Sequence, residues 1–515
     1  MKNVVGREIA EYYNGYGKAV PFQGAFQYFP EITRAAPKIK FAVPGKDNKV
    51  AKSLKDVFLS IPVKDGMTLS FHSAFREGDK VMNLVVQTAA ELGLKDLKIS
   101  SSAIFQANAP IVEHIRNGVV TRLDANAILG EVGECVMNGE LPTIATIRSH
   151  GGRPRSIETG QQHIDVAFIG APTADIYGNI NGIEGTACCG SLGYAVPDSE
   201  FADYVVAVTD NLVEMPLSTI SIPQTRVDYV VKVDCCGDPN GIATGTLRPS
   251  KDPIQLYIAD ETVKIVEQLG LIKDGYAFQC GSGGVSIAFA QKMGKLLEQK
   301  QIQAGFCVGG ITGYMVDMLE RGLVKNLYDV QCFDTRAINS IHRNPGHVEI
   351  GASFYANPFN SGCIVNRLDN CILGALEIDI GFNINVVTGN NGSLTAGIGG
   401  NPDCAAGASV TIAVANLLRG RIPVVVDSVH TICTPGETVD ILVTERGVAV
   451  NPLRKDLLQK LEGSNIKLKT IEELKYEAEK IVGTPQKIKT TGKTVAVVEY
   501  RDGTIIDTIE QVEAL

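Results

Sequence analysis

Gly389, Gly392, Gly397, Gly399 and Gly400 crowd into one short stretch, with Asn390, Asn391, Ser393 and Asp403 among them. Glycines at that density let the backbone take positive φ and approach a ligand closely, presenting N–H groups rather than side chains. Such a loop suits a reaction in which negative charge develops on an oxygen. A glycine-rich surface turn has the same composition, and on this stretch alone both readings stay open. A second loop, GSGGVS at 281–286, follows a predicted strand and precedes a predicted helix, where a phosphate-cradling loop would lie. Ser286 replaces the third glycine of a dinucleotide fingerprint, and the next strand, AGFCVGG, ends without the acidic residue that would hold a ribose. Nicotinamide is therefore not expected. A backbone anion or acyl-oxygen site at Gly281, Ser282, Gly283 and Gly284 survives both objections.

Charged candidates come from SFHSAFREGD (70–79), which puts His72 and Arg76 at the carboxyl end of a predicted strand, where open α/β sheets bind ligands. HGGRPR (150–155) adds His150, Arg153 and Arg155 beside a glycine pair. Guanidiniums placed this way suit a multiply charged anion through bidentate hydrogen bonds, and surface ion pairing is the competing reading. His342 and His347 are separated by Pro345-Gly346, so they share no helix face, and no Cys or carboxylate spacing completes a metal set; no metal site is expected. TTGKT (490–494) resembles the end of a Walker A loop, but Lys487 stands where its first glycine should be and a strand follows, so that motif is rejected. Cys280 and Cys307, at strand ends beside the glycine loops, are candidate nucleophiles only if a cationic neighbour lowers their pKa.

These residues need a scaffold. At 515 residues the chain is long enough for two or three domains with full cores, and 44% hydrophobic with 20% charged residues is an ordinary globular composition. A net charge of −9 without a basic stripe argues against nucleic acid. Lys2, Arg7, Glu8 and Glu11 interrupt any signal-like core, and no apolar run is long enough to cross a membrane, so a cytoplasmic protein is expected. The 12 cysteines are scattered without a CxxC, which fits reduced thiols rather than a disulfide framework.

The chain also repeats. DIYGNIN (175–181) and DIGFNIN (379–385) lie 204 residues apart (379 − 175), as do VEHIRNGVV (112–120) and VDMLERGLV (316–324). A tandem duplication of an α/β unit follows. An aromatic-rich extension is expected over 1–45, lying against the body or a partner subunit. The first unit is expected over 46–235, and the second over 236–515 with a helix–hairpin tail turning at Asp502-Gly503. Predicted strands at 67–71, 97–104, 164–169, 203–208 and 227–232 recur in the second unit at 276–280, 304–308, 328–332, 372–380, 409–415, 422–427 and 439–443. Helices or loops alternate with them, as in an open, mostly parallel sheet. Residues 236–253 read as a linker, and Asp252, Pro253 and Gly270 as the cap, first turn and stop of a helix.

ALEIDIGFNINVVTGNNG, GGNPDC, TPGETVDILVTERGVAVNP and GREIAEYYNGYGKAVPFQGAF together resemble the alpha subunits of citrate lyase, over essentially the whole chain. GAPTADIYGN and the two-unit build are similar to the wider CoA-transferases. The resemblance implies a site between two related α/β units. It also implies transfer of an acyl carrier protein from acetyl thioester to citrate, releasing acetate and handing citryl thioester to a separate lyase subunit. The cofactor would be the carrier's CoA-like prosthetic arm, with none tightly bound in this chain, and acetyl-CoA could substitute. A homo-oligomer is expected.

Many CoA-transferases carry a nucleophilic Glu after the second strand of the second unit; alignment through MVDMLERG (315–322) brings Gly309 or Gly310 there. Citrate's own carboxylate would then attack the thioester. On this reading Gly309, Gly310, Gly399, Gly400 and Asn391 serve the chemistry. Gly281, Ser282, Gly283, Gly284, Gly392 and Asp403 bind the thioester arm, and His72, Arg76, Arg153 and Arg155 bind the substrate carboxylates. The alternatives are the malonate decarboxylase alpha subunits, with the same exchange on malonate, and a non-catalytic scaffold holding the carrier.

Overall fold

Two parallel sheets organise the chain in the computed structural model, which describes residues 1–31, 33–37, 48–243 and 248–513. Parts of the expected extension (38–45) and linker (244–247) lie outside the described residues. The first sheet is built from β1 (Val50–Ala51), β2 (Thr68–Phe71), β3 (Leu97–Ser101), β4 (Val120–Ala125), β5 (Ala145–Arg148), β6 (Val166–Gly170), β7 (Tyr204–Thr209) and β8 (Tyr229–Lys232). The second contains β9 (Ala277–Cys280), β10 (Ala304–Ile311), β11 (Val324–Cys332), β12 (His347–Glu349), β13 (Asn370–Gly374), β14 (Val410–Val414), β15 (Ile441–Thr444) and β16 (Gly447–Val450). Strands β5-β4-β3-β2-β6-β7-β8 lie side by side in the first, and β12-β11-β10-β9-β13-β14-β15 in the second. Every one of those pairings is parallel, so the two orders are one topology used twice. These strands are apolar runs buried on both faces, as parallel sheets require.

The repeated motif has a structural purpose. Asp175 Oδ1 accepts from the N–H groups of Tyr177 and Asn179 (3.0 Å each), and Asp379 Oδ1 from those of Gly381 and Asn383 (2.9 and 3.0 Å). Each motif closes a tight antiparallel pair, Ala174 facing Ile180 and Ile378 facing Ile384. Gly178 has φ +100° at that turn, and Phe382, its counterpart, is held at +63°. The Asp and Asn of these motifs are thus turn residues.

Three expectations are corrected. The run 372–380 is two strands: β13 ends at Gly374, and Glu377–Asp379 joins the small side sheet with Ile384–Asn385 and Val425–Val426. Residues 422–427 likewise belong outside the main sheet. The tail hairpin, β17 (Thr490–Glu499) and β18 (Ile505–Val512), was expected with the second unit, yet β17 pairs in parallel with β5 and extends the first sheet. The reason is burial: Val495, Ala496, Val497 and Val498 are apolar in succession and need a sheet covered on both faces, which the edge beside β5 offers. The N-terminal segment seals the other side of this hairpin, with Phe22 edge-on to Tyr500 at 4.9 Å and its N–H on Ile505 O at 3.0 Å.

Candidate functional site

The carboxyl ends of β10 and β11 meet loops of the first unit, and polar contacts stitch the seam. Gln331 Nε2 donates to Ser73 O (3.1 Å), Ser191 Oγ to Asp329 O (3.0 Å), and the His150 N–H to Gly399 O (3.0 Å). Asp403, at the start of the helix Asn401–Gly407, accepts from Ser149 Oγ (3.0 Å) and the Gly151 N–H (2.9 Å). An apolar group that includes Tyr194 of the first unit and Val308, Val330 and Tyr355 of the second fills the space beneath.

Tyr355 stands at the centre of the glycines. Its hydroxyl lies 3.5 Å from where a side chain on Gly309 would begin and 2.6 Å from the same point on Gly400. Gly309 has φ +110° at a break in the β10–β11 register, so the backbone selects glycine there, while Tyr355 is what excludes a side chain at Gly400. Gly310 faces the Phe333 ring, 2.0 Å from its own side-chain position. The Arg76 guanidinium lies over that ring at 4.8 Å. Arg76 itself is left-handed (φ +53°), a strained state for a non-glycine residue, and has no ion-pair partner among the described residues. Burial pulls its pKa down from the usual arginine value, against the opposing effects of Tyr194 and Glu77.

Other expected site residues are engaged elsewhere. Arg153 is buried and grips Asp198 with both terminal nitrogens (2.8 and 2.6 Å), so its fork serves the fold rather than a substrate. Arg155 donates to Glu499 Oε1 (2.6 Å) within a buried group that also holds Arg148 and Asp124. Burial alone would raise the Glu499 pKa, but Arg148 and Arg155 hold it at about 2. His72 receives the Ala74 N–H on Nδ1 (3.2 Å) and contacts Gly170 O through Nε2 (2.8 Å). Burial drops its pKa to about 4, which leaves a neutral ring with both nitrogens used. Asp403 is likewise spent on the seam, and burial raises its carboxyl to about 6.

Among the glycines, the Gly399 N–H goes to Asn126 Oδ1 (3.2 Å), which removes it as a free donor. Asn391 turns back on Ser393, and Gly392 presses against Val512, Ile488 and His430, so that turn leans on the tail. The Gly281 N–H donates to Ile372 O (3.0 Å), while Ser282 and Gly283 are exposed ahead of the helix Gly284–Lys300, which no side chain caps. Both candidate thiols are buried, and burial raises the pKa of Cys280 and Cys307. His347 meets the carboxylate and cysteine that spacing did not supply: Asp329 Oδ2 is 2.9 Å from both His347 Nε2 and Cys332 Sγ, hydrogen-bond contacts in a fully buried group.

The citrate lyase, alpha subunit (CitF) family matches residues 47–512. The chain belongs to this citrate lyase alpha-subunit family. Its members are the transferase component of the multi-subunit citrate lyase. The citrate lyase alpha chain of Haemophilus influenzae is 47% identical over 483 residues, 94% of this chain and 97% of that one. The corresponding chain of Escherichia coli is 44% identical over 489 residues, 95% of each. A Streptococcus mutans structure, described as the citrate lyase alpha subunit in complex with citrate, superposes with a TM-score of 0.96 at 44% identity, covering 100% of both chains. A malonate decarboxylase alpha subunit from Acinetobacter baumannii shares the fold at a TM-score of 0.60, with 16% identity over 85% of this chain and 94% of that one. The citrate lyase family accounts for the chain, and malonate is not favoured. No helix among the described residues is long and apolar enough to cross a membrane.

Two residues of this citrate lyase-type seam escaped the sequence reading. Tyr355 sits in an unremarked helix, Ala352–Ala356. Gln279 is the polar residue of AFQC, on the strand face opposite Phe278 and Cys280. A lone polar side chain at the end of an apolar strand, just before a glycine loop, was the available signal.

Proposed function

We propose that the chain exchanges a carrier thioester between acetate and citrate without becoming acylated itself. A citrate carboxylate attacks the acetyl carbonyl, and the carrier thiolate leaves with the electron pair of its C–S bond. The resulting acetyl–citryl anhydride is then attacked by that thiolate at its citryl carbonyl, giving citryl thioester and acetate. No protein base or nucleophile is consumed. The protein contributes position and donors for the developing oxyanions.

Gly309 carries this reading. With φ +110° the backbone there disfavours any side-chain nucleophile, which supports an acyl-accepting carboxylate that comes with the substrate. Arg76, which has no ion-pair partner among the described residues, would hold another citrate carboxylate, and the Gly400 N–H, likewise without a partner among them, would face an oxyanion. The open loop Ser282–Gly284 would take the thioester arm, supplied by an acyl carrier protein with a CoA-like prosthetic group. The lyase subunit would receive the citryl thioester, in a cytoplasmic complex containing several copies of this chain.

The test is to incubate the isolated chain with acetyl-CoA and citrate, with malonate in parallel. Citryl-CoA and acetate should form with citrate. A chain inert with both acids would be a scaffold, and a preference for malonate would reassign the substrate.

A further inference from the structure

The position that a nucleophilic side chain would occupy is not empty of chemistry. The point where a Gly309 side chain would begin lies 3.8 Å from Gln279 Cγ and 3.5 Å from the Tyr355 hydroxyl. Gln279 is only 8% exposed, and its carboxamide makes no hydrogen bond among the described residues; Oε1 is buried without a donor. Its partner on the neighbouring strand, Cys371, is buried and apolar. A buried amide left unpaired is costly, and because the carboxamide can turn either its oxygen or its NH2 toward the Gly309 position, Gln279 can offer donors to a ligand that the free chain lacks. The Tyr355 hydroxyl is in a similar state, 3.3 Å from Cys404 Sγ, a weak partner.

We infer that Gln279 Nε2 and the Tyr355 hydroxyl together grip the attacking carboxylate of citrate, in the place where related enzymes present their own. The inference rests on the substrate-carboxylate mechanism above. Two neutral donors suit the task better than a cation. They orient the carboxylate and replace part of its hydration, but leave its negative charge unneutralised and so its oxygen nucleophilic. An ion pair would hold it more strongly and blunt it. Arg76 can then bind a different carboxylate of the same substrate, and the two contacts fix which one attacks.

The experiment uses the full chain with acetyl-CoA and citrate. Gln279→Ala and Tyr355→Phe are each expected to lower kcat/KM for citrate at least about tenfold, with KM for acetyl-CoA within about twofold, as fits one hydrogen bond to a carboxylate lost. Gln279→Glu separates a binding role from a packing one. A packing role ranks the near-isosteric Glu milder than Ala, whereas a carboxylate-binding role ranks Glu worse, because two like charges then meet. Wild type inactive with citrate would overturn the functional reading. An active wild type whose variants keep kcat/KM for citrate, or in which Glu is milder than Ala, would overturn this inference alone.

Discussion

Replacing Arg76 by alanine should weaken citrate binding while leaving the fold intact. The guanidinium forms no ion pair among the described residues, so its removal strands no buried carboxylate. The lost packing is its position over Phe333 at 4.8 Å, worth about 0.5–1 kcal/mol at a partly exposed site. A charge-assisted hydrogen bond to a substrate carboxylate is worth about 1.5–3 kcal/mol, which corresponds to roughly a 10- to 150-fold rise in KM for citrate. Arg76→Gly should show the same binding loss but melt at or above the alanine variant, because glycine accepts φ +53° without strain of about 1 kcal/mol. Initial rates at varied citrate and fixed acetyl-CoA, beside thermal melts of both variants, give the two readouts. A citrate KM within twofold of wild type would refute the reasoning. A rise confined to the acetyl-CoA KM would move Arg76 to the phosphates of the arm.

Arg153→Ala should do the opposite, destabilising by about 3–5 kcal/mol in denaturant titrations because Asp198 is left buried and alone. His72 makes stability depend on pH with a definite sign. Its folded pKa of about 4 lies below the unfolded value of about 6.5, so the unfolded state binds more protons as pH falls through that window and stability is lost. At pH 5 the loss is about 2 kcal/mol relative to pH 8. The difference in unfolding free energy between wild type and His72→Gln should shrink by that amount, which cancels the opposing raised carboxyls common to both. Intact-protein mass spectrometry after acetyl-CoA alone should show no acyl or CoA adduct, and Cys280→Ser and Cys307→Ser should keep activity within about tenfold. A kinetically competent adduct would overturn the anhydride route while leaving the family intact.

Sequence alone determined the duplication, because two motifs at one offset are visible without coordinates, and the strand order then repeats from unit to unit. It identified most strands of the parallel sheets, since doubly buried strands must be apolar runs, but it missed Val120–Ala125, Ala145–Arg148 and the short His347–Glu349. Only the tertiary structure decided which charges are available. Arg76, Arg153 and Arg155 look alike as residues, yet Arg153 finds Asp198 45 positions away and Arg155 finds Glu499 344 positions away. Among the described residues, Arg76 finds an aromatic ring and no carboxylate. The tail hairpin shows the same limit: its apolar runs around Asp502-Gly503 declare two strands, but which sheet edge they join depends on a strand hundreds of residues earlier. Partners of buried charges and edges are long-range facts. Local composition states that a group must be satisfied, and the packed chain alone states by whom.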